Sequence, residues 1–163
     1  MLMATSSCEL DPSGPGWHSI TRQGIEFAWN VEGSQLEVEL TGPTTGWVLV
    51  GFKGTYLYTD ANIIIGYVSG GVAHVRDDFG FNNDTHESDS SLQGGQQNAT
   101  STSGSEEGGS TTIAFTIPLD SGDEWDNAME DGESVLLVLA TGADGADNFT
   151  SGYTLITTET ISL

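Results

Sequence analysis

The side chains able to do chemistry in this chain are of few kinds: two mid-chain histidines, clusters of carboxylates and scattered aromatic rings. His74 alternates with Val72 and Arg76, so a strand through them puts His74 and Arg76 on one face. A solvated or hydrogen-bonded imidazole is the ordinary outcome there, and metal or haem ligation the sharper one. His86 stands between Asp84 and Glu87 in polar sequence and reads as exposed. Asp120, Asp123 and Asp126, with Glu124, cluster after Pro118, while Asp144 and Asp147 flank Gly145. Hard oxygen donors in glycine-bearing loops are what calcium takes, which makes Asp120, Asp123 and Asp126 the candidate calcium ligands. In so acidic a chain the same cluster also arises as a solvated surface, and Asp120 alone can cap a turn. No zinc-type Cys/His spacing, Ser/His/Asp set or nucleophile elbow occurs, so no residue is assigned to catalysis.

Strands must position these groups. Ile25, Phe27, Trp29 and Val31 alternate with more polar neighbours, and Leu36, Val38 and Leu40 alternate with Glu37 and Glu39. That period of two marks half-buried strands, and Glu32-Gly33-Ser34 between them predicts a hairpin. Trp47–Phe52, Ile63–Val68 and Val135–Ala140 are continuous apolar runs, suited to central strands covered on both faces. Ser69-Gly70-Gly71 turns the chain into Val72–Arg76. Residues 82–110 are Ser, Thr, Gly, Asn, Gln and acids, a stretch too long for a plain loop, so a weak edge strand is expected near Ser91–Thr102. Ile113, Phe115 and Ile117 restore alternation up to Pro118, Asp123–Met129 suggests a short helical turn, and Tyr153–Leu163 closes the sheet. Residues 1–23 read as an N-terminal arm anchored by Trp17, and residues 24–163 as a single domain. The expected fold is all-β, an antiparallel two-sheet sandwich of immunoglobulin-like type with eight or nine strands. Trp29, Leu36, Val38, Val50, Ile64, Phe115 and Leu137 are expected in its core, with Trp47.

Three stretches, Gly46–Phe52, Thr59–Val68 and Phe115–Asp123 with its Pro118-Leu119-Asp120-Ser121-Gly122-Asp123 corner, in this order resemble the DOMON family. The resemblance spans roughly residues 24 to 163 and implies an extracellular β-sandwich that holds haem or sugar. In its haem-binding members a Met three or four residues before the strand-opening Asp and a His after the late apolar strand ligate haem b. Here Asp60 matches the Asp, but Tyr56 and Leu57 precede it, and the loop after Ala140 holds Asn148, Phe149 and Tyr153 without a His. Both usual axial ligands are missing, which argues against haem b held in the family manner and leaves a phenolate of Tyr56 or Tyr58 as the alternative ligand. The family's site location, with His74 added from its strand position, makes Tyr56, Tyr58, Asp60, His74, Asn148, Phe149 and Tyr153 the candidate ligand-binding residues, with Tyr56, Tyr58 and Tyr153 on a pocket rim. The small-molecule ligand is expected to be a sugar or another planar organic compound, without catalysis. The alternatives are a b-type cytochrome with unorthodox ligands, set in a larger cell-surface or electron-transfer system, and a ligand-free surface domain.

Charge narrows the partners. Asp and Glu number 24 against 3 Lys and Arg in 163 residues, a formal net charge of −21. Nucleic acid and anionic membrane surfaces are excluded as partners, since both need clustered Lys and Arg. Scarcity of Lys beside so many acids favours adaptation to concentrated salt over acidity for solubility alone. Asn83-Asp84-Thr85, Asn98-Ala99-Thr100 and Asn148-Phe149-Thr150 are glycosylation-type sequons and fit an extracellular or cell-surface protein. Met1–Ser7 is too short for a secretory signal, so either a signal has been trimmed from this sequence or the protein is not exported by that route. Cys8, the only cysteine, excludes an intrachain disulfide and is expected to be an inert thiol rather than a lipid anchor.

Overall fold

The computed structural model describes residues 10–163, and Cys8 lies outside them. Eleven strands run in chain order: β1 His18–Arg22, β2 Ile25–Glu32, β3 Gln35–Gly42, β4 Val48–Phe52, β5 Asn62–Ser69, β6 Val72–Gly80, β7 His86–Ser88, β8 Thr100–Glu107, β9 Ser110–Pro118, β10 Ser134–Thr141 and β11 Leu155–Ser162. They form two antiparallel sheets, one of five strands in the order β1-β2-β3-β9-β8 and one of six in the order β11-β10-β4-β5-β6-β7.

The predicted alternation sets the first sheet. Phe27 pairs with Leu40 and Trp29 with Val38, while Leu36 and Val38 pair with Ile117 and Phe115 of β9, so one face carries the apolar side chains. These meet Val50, Phe52, Ile64, Leu137 and Leu139 of the second sheet in a single core. Seven of the eight residues expected in the core are buried there, and Trp47 is buried on the other face of the second sheet. Glu37, Glu39 and Thr41 point the other way and are partly exposed. Burial and Glu26 both raise the Glu39 carboxyl above its ordinary value.

The second sheet differs because its other face is also apolar. Leu49, Ile63, Ile65, Val138 and Ala140 pack there with Trp47, Tyr58 and Ala61, beneath Tyr67, Phe149, Tyr153 and Ile156. This is why β4, β5 and β10 read as continuous apolar runs. The loop after β10 covers that face, and Gly142 lets it do so: a Cβ there would lie 2.4 Å from Trp47 Nε1. Thr44 Oγ1 donates to the Gly142 carbonyl at 2.9 Å, and Trp47 Nε1 donates to Ser151 Oγ at 2.9 Å, which pins the loop down.

Three local expectations change. Residues 18–22 are not irregular arm but the edge strand β1, paired along its length with β2. The expected edge strand starts later, at Thr100, and carries a bulge between Ser101 and Ser103. Asp123–Met129 forms no helix. The single helical turn described is a 3-10 turn at Asp89–Ser91, placed by the short strand β7 that precedes it.

Candidate functional site

Two loops and a hairpin meet over the second sheet. A narrow pocket of about 140 Å³ opens between Tyr58, Asp84, Thr85 and His86 on one side and Phe149, Thr150, Ser151, Gly152 and Tyr153 on the other. Tyr58 comes from the Thr55–Thr59 turn, which closes through a Thr55 N–H to Thr59 carbonyl bond of 2.9 Å. Leu57 and Asp60 take positive φ there, 48° and 61°, which aims Tyr58 inward. Only 1% of Tyr58 is exposed, and its hydroxyl has no hydrogen-bond partner. Desolvation, with Tyr153 and Asp84 adding repulsion, pushes its phenol well above the usual range. The ring stands edge-on to Tyr153 at 5.9 Å and to His86 at 5.6 Å.

Polar groups of β6 brace the pocket wall. Asp78 is fully buried. Arg76 Nε and Nη2 donate to its two carboxylate oxygens, each at 2.6 Å, and His86 Nδ1 lies 2.5 Å from Oδ2. The guanidinium also sits 4.5 Å over the Phe149 ring, where a cation is attracted to the aromatic face. Phe149 packs 5.0 Å from Tyr67, whose far side stacks on His74 at 4.9 Å.

Of the candidate ligand-binding residues, Tyr58, Phe149 and Tyr153 therefore line one pocket. Asn148 adjoins it as a turn former, its Oδ1 accepting the Thr150 and Ser151 N–H groups at 2.9 and 2.8 Å. Tyr56 is 63% exposed and outside the lining. Asp60 is exposed and accepts from Thr55 Oγ1 at 3.0 Å, and His74 lies on the outer surface of β6. His86, expected to be simply exposed, is a wall residue; its signal was the Asn82–Thr85 turn, which folds it back beside Asp78 through the β6–β7 pairing.

The candidate calcium ligands separate. Asp120 is exposed and its Oδ1 accepts the Gly122 N–H at 2.9 Å. Asp123 is committed on both oxygens, to Trp125 N–H at 3.0 Å and Gln96 N–H at 2.6 Å. Asp126 instead joins Asp77 and Asp89, two residues the sequence reading did not single out. A wider depression of about 550 Å³ lined by Lys53, Asp120 and residues 128–133 is held by the Lys53–Glu133 ion pair of 2.8 Å.

The model of the DOMON domain matches residues 21–142. The chain belongs to the DOMON family. Among solved structures it is similar to the cytochrome b domain of pyranose dehydrogenase from Coprinopsis cinerea, with a TM-score of 0.66, 10% identity, and coverage of 88% of this chain and 80% of that one. It is also similar to the cytochrome domain of Myriococcum thermophilum cellobiose dehydrogenase, with a TM-score of 0.62, 15% identity, and coverage of 94% of this chain and 80% of that one. A search of curated proteins gives no match. At such identities these likenesses speak for the fold.

Haem b fits this DOMON domain poorly. Where the family resemblance implies an axial Met, the chain has Tyr56, turned outward, and Leu57; where it implies a His, the loop after β10 has none. The free space of about 140 Å³ is below the roughly 300 Å³ at which drug-sized ligand sites begin.

Proposed function

We propose that the domain is an exported, non-catalytic binding module whose pocket takes a sugar or another small planar organic molecule in place of haem. The observation that carries this is a pocket walled by Tyr58, Phe149 and Tyr153, beside which the buried Tyr58 hydroxyl has no partner of its own. A buried O–H without a partner is costly unless something supplies an acceptor, and aromatic faces suit the flat apolar side of a sugar ring. Asp84, Thr85, Thr150 and Ser151 add polar groups at the mouth, which could meet hydroxyls of such a ligand. Arg76, Asp78 and His86 hold the wall rigid rather than react. Its DOMON membership and its glycosylation-type sequons support a place outside the cell, within a larger surface or electron-transfer system.

Calorimetry against a panel of monosaccharides, with hemin in parallel, tests the reading. The expected result is saturable one-to-one binding of one sugar class, abolished by Tyr153→Ala and weakened roughly tenfold by Tyr58→Phe, the loss of about one hydrogen bond. A one-to-one hemin complex with a sharp Soret band that His86→Ala removes would overturn it and establish a cytochrome with an unorthodox ligand.

A further inference from the structure

We propose that Asp77, Asp89 and Asp126 form a calcium site at the edge of the core, on the face of β6 opposite the pocket. Asp77 pairs across β5 with Ile64, a residue of the inter-sheet core, whereas its neighbour Asp78 pairs with Ile63 of the pocket-side cluster. Asp89 arrives from the 3-10 turn after β7, and Asp126 from the loop after β9. One carboxylate oxygen from each lies within 4.8 Å of the other two. Two ligands on opposite sides of an ion at the usual 2.3–2.6 Å calcium–oxygen distance stand about that far apart.

What marks a ligand, rather than a chance acidic cluster, is the pattern of satisfied and orphaned oxygens. Asp77 and Asp89 are both wholly buried, and Asp77 Oδ1, both oxygens of Asp89 and Asp126 Oδ1 have no hydrogen-bond partner. The remaining oxygens are used. Asp77 Oδ2 accepts the Asn98 N–H at 2.9 Å, and Asp126 Oδ2 accepts from Ser121 Oγ. With its amide oriented to satisfy both atoms, Asn98 Nδ2 also reaches Asp126 Oδ2 at 3.3 Å. Hydrogen bonds thus hold one oxygen of Asp77 and one of Asp126, and leave the other of each, with both of Asp89, without a partner.

The surrounding backbone is built around this point. Gln97 Oε1 accepts the Asp77 N–H at 2.9 Å, and Asp123 bridges Gln96 N–H to Trp125 N–H, tying the segment before β8 to the corner after β9. Gly95 passes so close to the Asp89 carbonyl that a Cβ would lie 2.1 Å from it, so any larger residue would displace the turn carrying Asp89. No Lys or Arg serves the cluster. The chain's three Lys and Arg are engaged elsewhere: Arg22 with Glu159, Lys53 with Glu133 and Arg76 with Asp78. Two buried carboxylates and a half-buried third without a counter-charge must either take up protons or bind a cation. Oxygen-only donors select a hard ion over zinc or copper, and a cage of protein carboxylates selects calcium over magnesium, which keeps its waters.

Calorimetry of EDTA-stripped protein with CaCl2, and separately MgCl2, in 1 M KCl tests the site, the salt background screening diffuse attraction to the acidic surface. Calcium should bind one-to-one and raise the melting temperature, with magnesium much weaker. Asp89→Asn and Asp77→Asn should each weaken calcium roughly 100-fold, on the order expected for losing a charged ligand, and Asp120→Asn should leave it unchanged. Each Asn variant removes a buried charge, so both are expected to fold, with intact folding checked by circular dichroism. Absence of a calcium-dependent shift in the wild-type protein, or equal calcium affinity in Asp89→Asn, would overturn the proposal and leave the carboxyls neutralised by protons alone.

Discussion

Asp77 and Asp78 are adjacent in sequence, equally buried and of one residue type, yet they occupy opposite electrostatic situations. Strand alternation sends Asp78 to the pocket side, where Arg76 grips both its oxygens and His86 adds a third contact. The same alternation sends Asp77 to the inter-sheet side, where Asp89 and Asp126 face it and no cation follows. Arg76 itself stands two residues from Asp78 and so shares its face. In a chain with three permanent cations, the face on which one of them falls decides which buried acid is neutralised internally and which needs help from solution.

The largest expected effect comes from breaking the neutralised member. Asp78→Ala leaves Arg76 and His86 without their shared partner and should cost about 3 kcal/mol of stability, since removing one side of a buried ion pair strands the other. Urea denaturation checks it. Asp77→Asn in EDTA should move stability the opposite way above about pH 8, where the wild-type carboxyl is ionised and nothing pairs its charge.

A pH series sharpens the contrast. Burial first, then Asp126 and, for Asp77, Asp89 and Asp78, push the Asp77 carboxyl up to about 8 from an ordinary 3.8; burial, Asp126, Asp123 and Asp78 push Asp89 to about 8 as well. Asp126 is raised too, chiefly by burial. With folded values above unfolded ones, the folded state holds more protons between about pH 4 and pH 8. Stability in EDTA is therefore fully present below pH 4 as far as these groups are concerned, and is lost as pH rises to 8. Melting curves in EDTA should show that decline, and Asp89→Asn should flatten it. Saturating calcium should reverse it, because the ion binds the ionised form.

Smaller effects probe the supporting contacts. Arg76→Lys keeps the charge but loses the two-pronged grip on Asp78 and the planar contact with Phe149, and should cost about 1 kcal/mol. The smallest is general: with a net charge of −21, the melting temperature should rise with NaCl and with a weakly excluded salt alike as repulsion is screened. A flat response in both would remove brine adaptation as a reason for the acidic coat.

The sheets were legible in sequence because burial on one face writes a period of two at Leu36, Val38 and Leu40, and burial on both writes the run Ile63-Ile64-Ile65. Phe149 and Tyr153 were legible through the family resemblance. Tyr56 and Tyr58 were not separable, since a turn with two left-handed residues decides which ring points inward. Asp77 and Asp89 stayed hidden because acids are everywhere in this chain, and only three-dimensional enclosure distinguishes a buried carboxylate from a solvated one. The strand β1 was missed for a simpler reason: at an outer edge, His18–Arg22 buries little and shows no strong alternation.

The bulged strand β8 has a consequence for crowding at high ionic strength. At low ionic strength molecules this negative keep one another apart at long range, but near 1 M salt the reach of that repulsion falls to about 3 Å. Colloidal stability then depends on the shape of whatever surfaces could dock. An open sheet margin is the most dangerous of these, since its free amide and carbonyl groups invite a neighbouring chain to add a strand. The interrupted register at Ser101–Ser103 and the acidic end at Glu106 and Glu107 spoil that template in a way that salt does not erase.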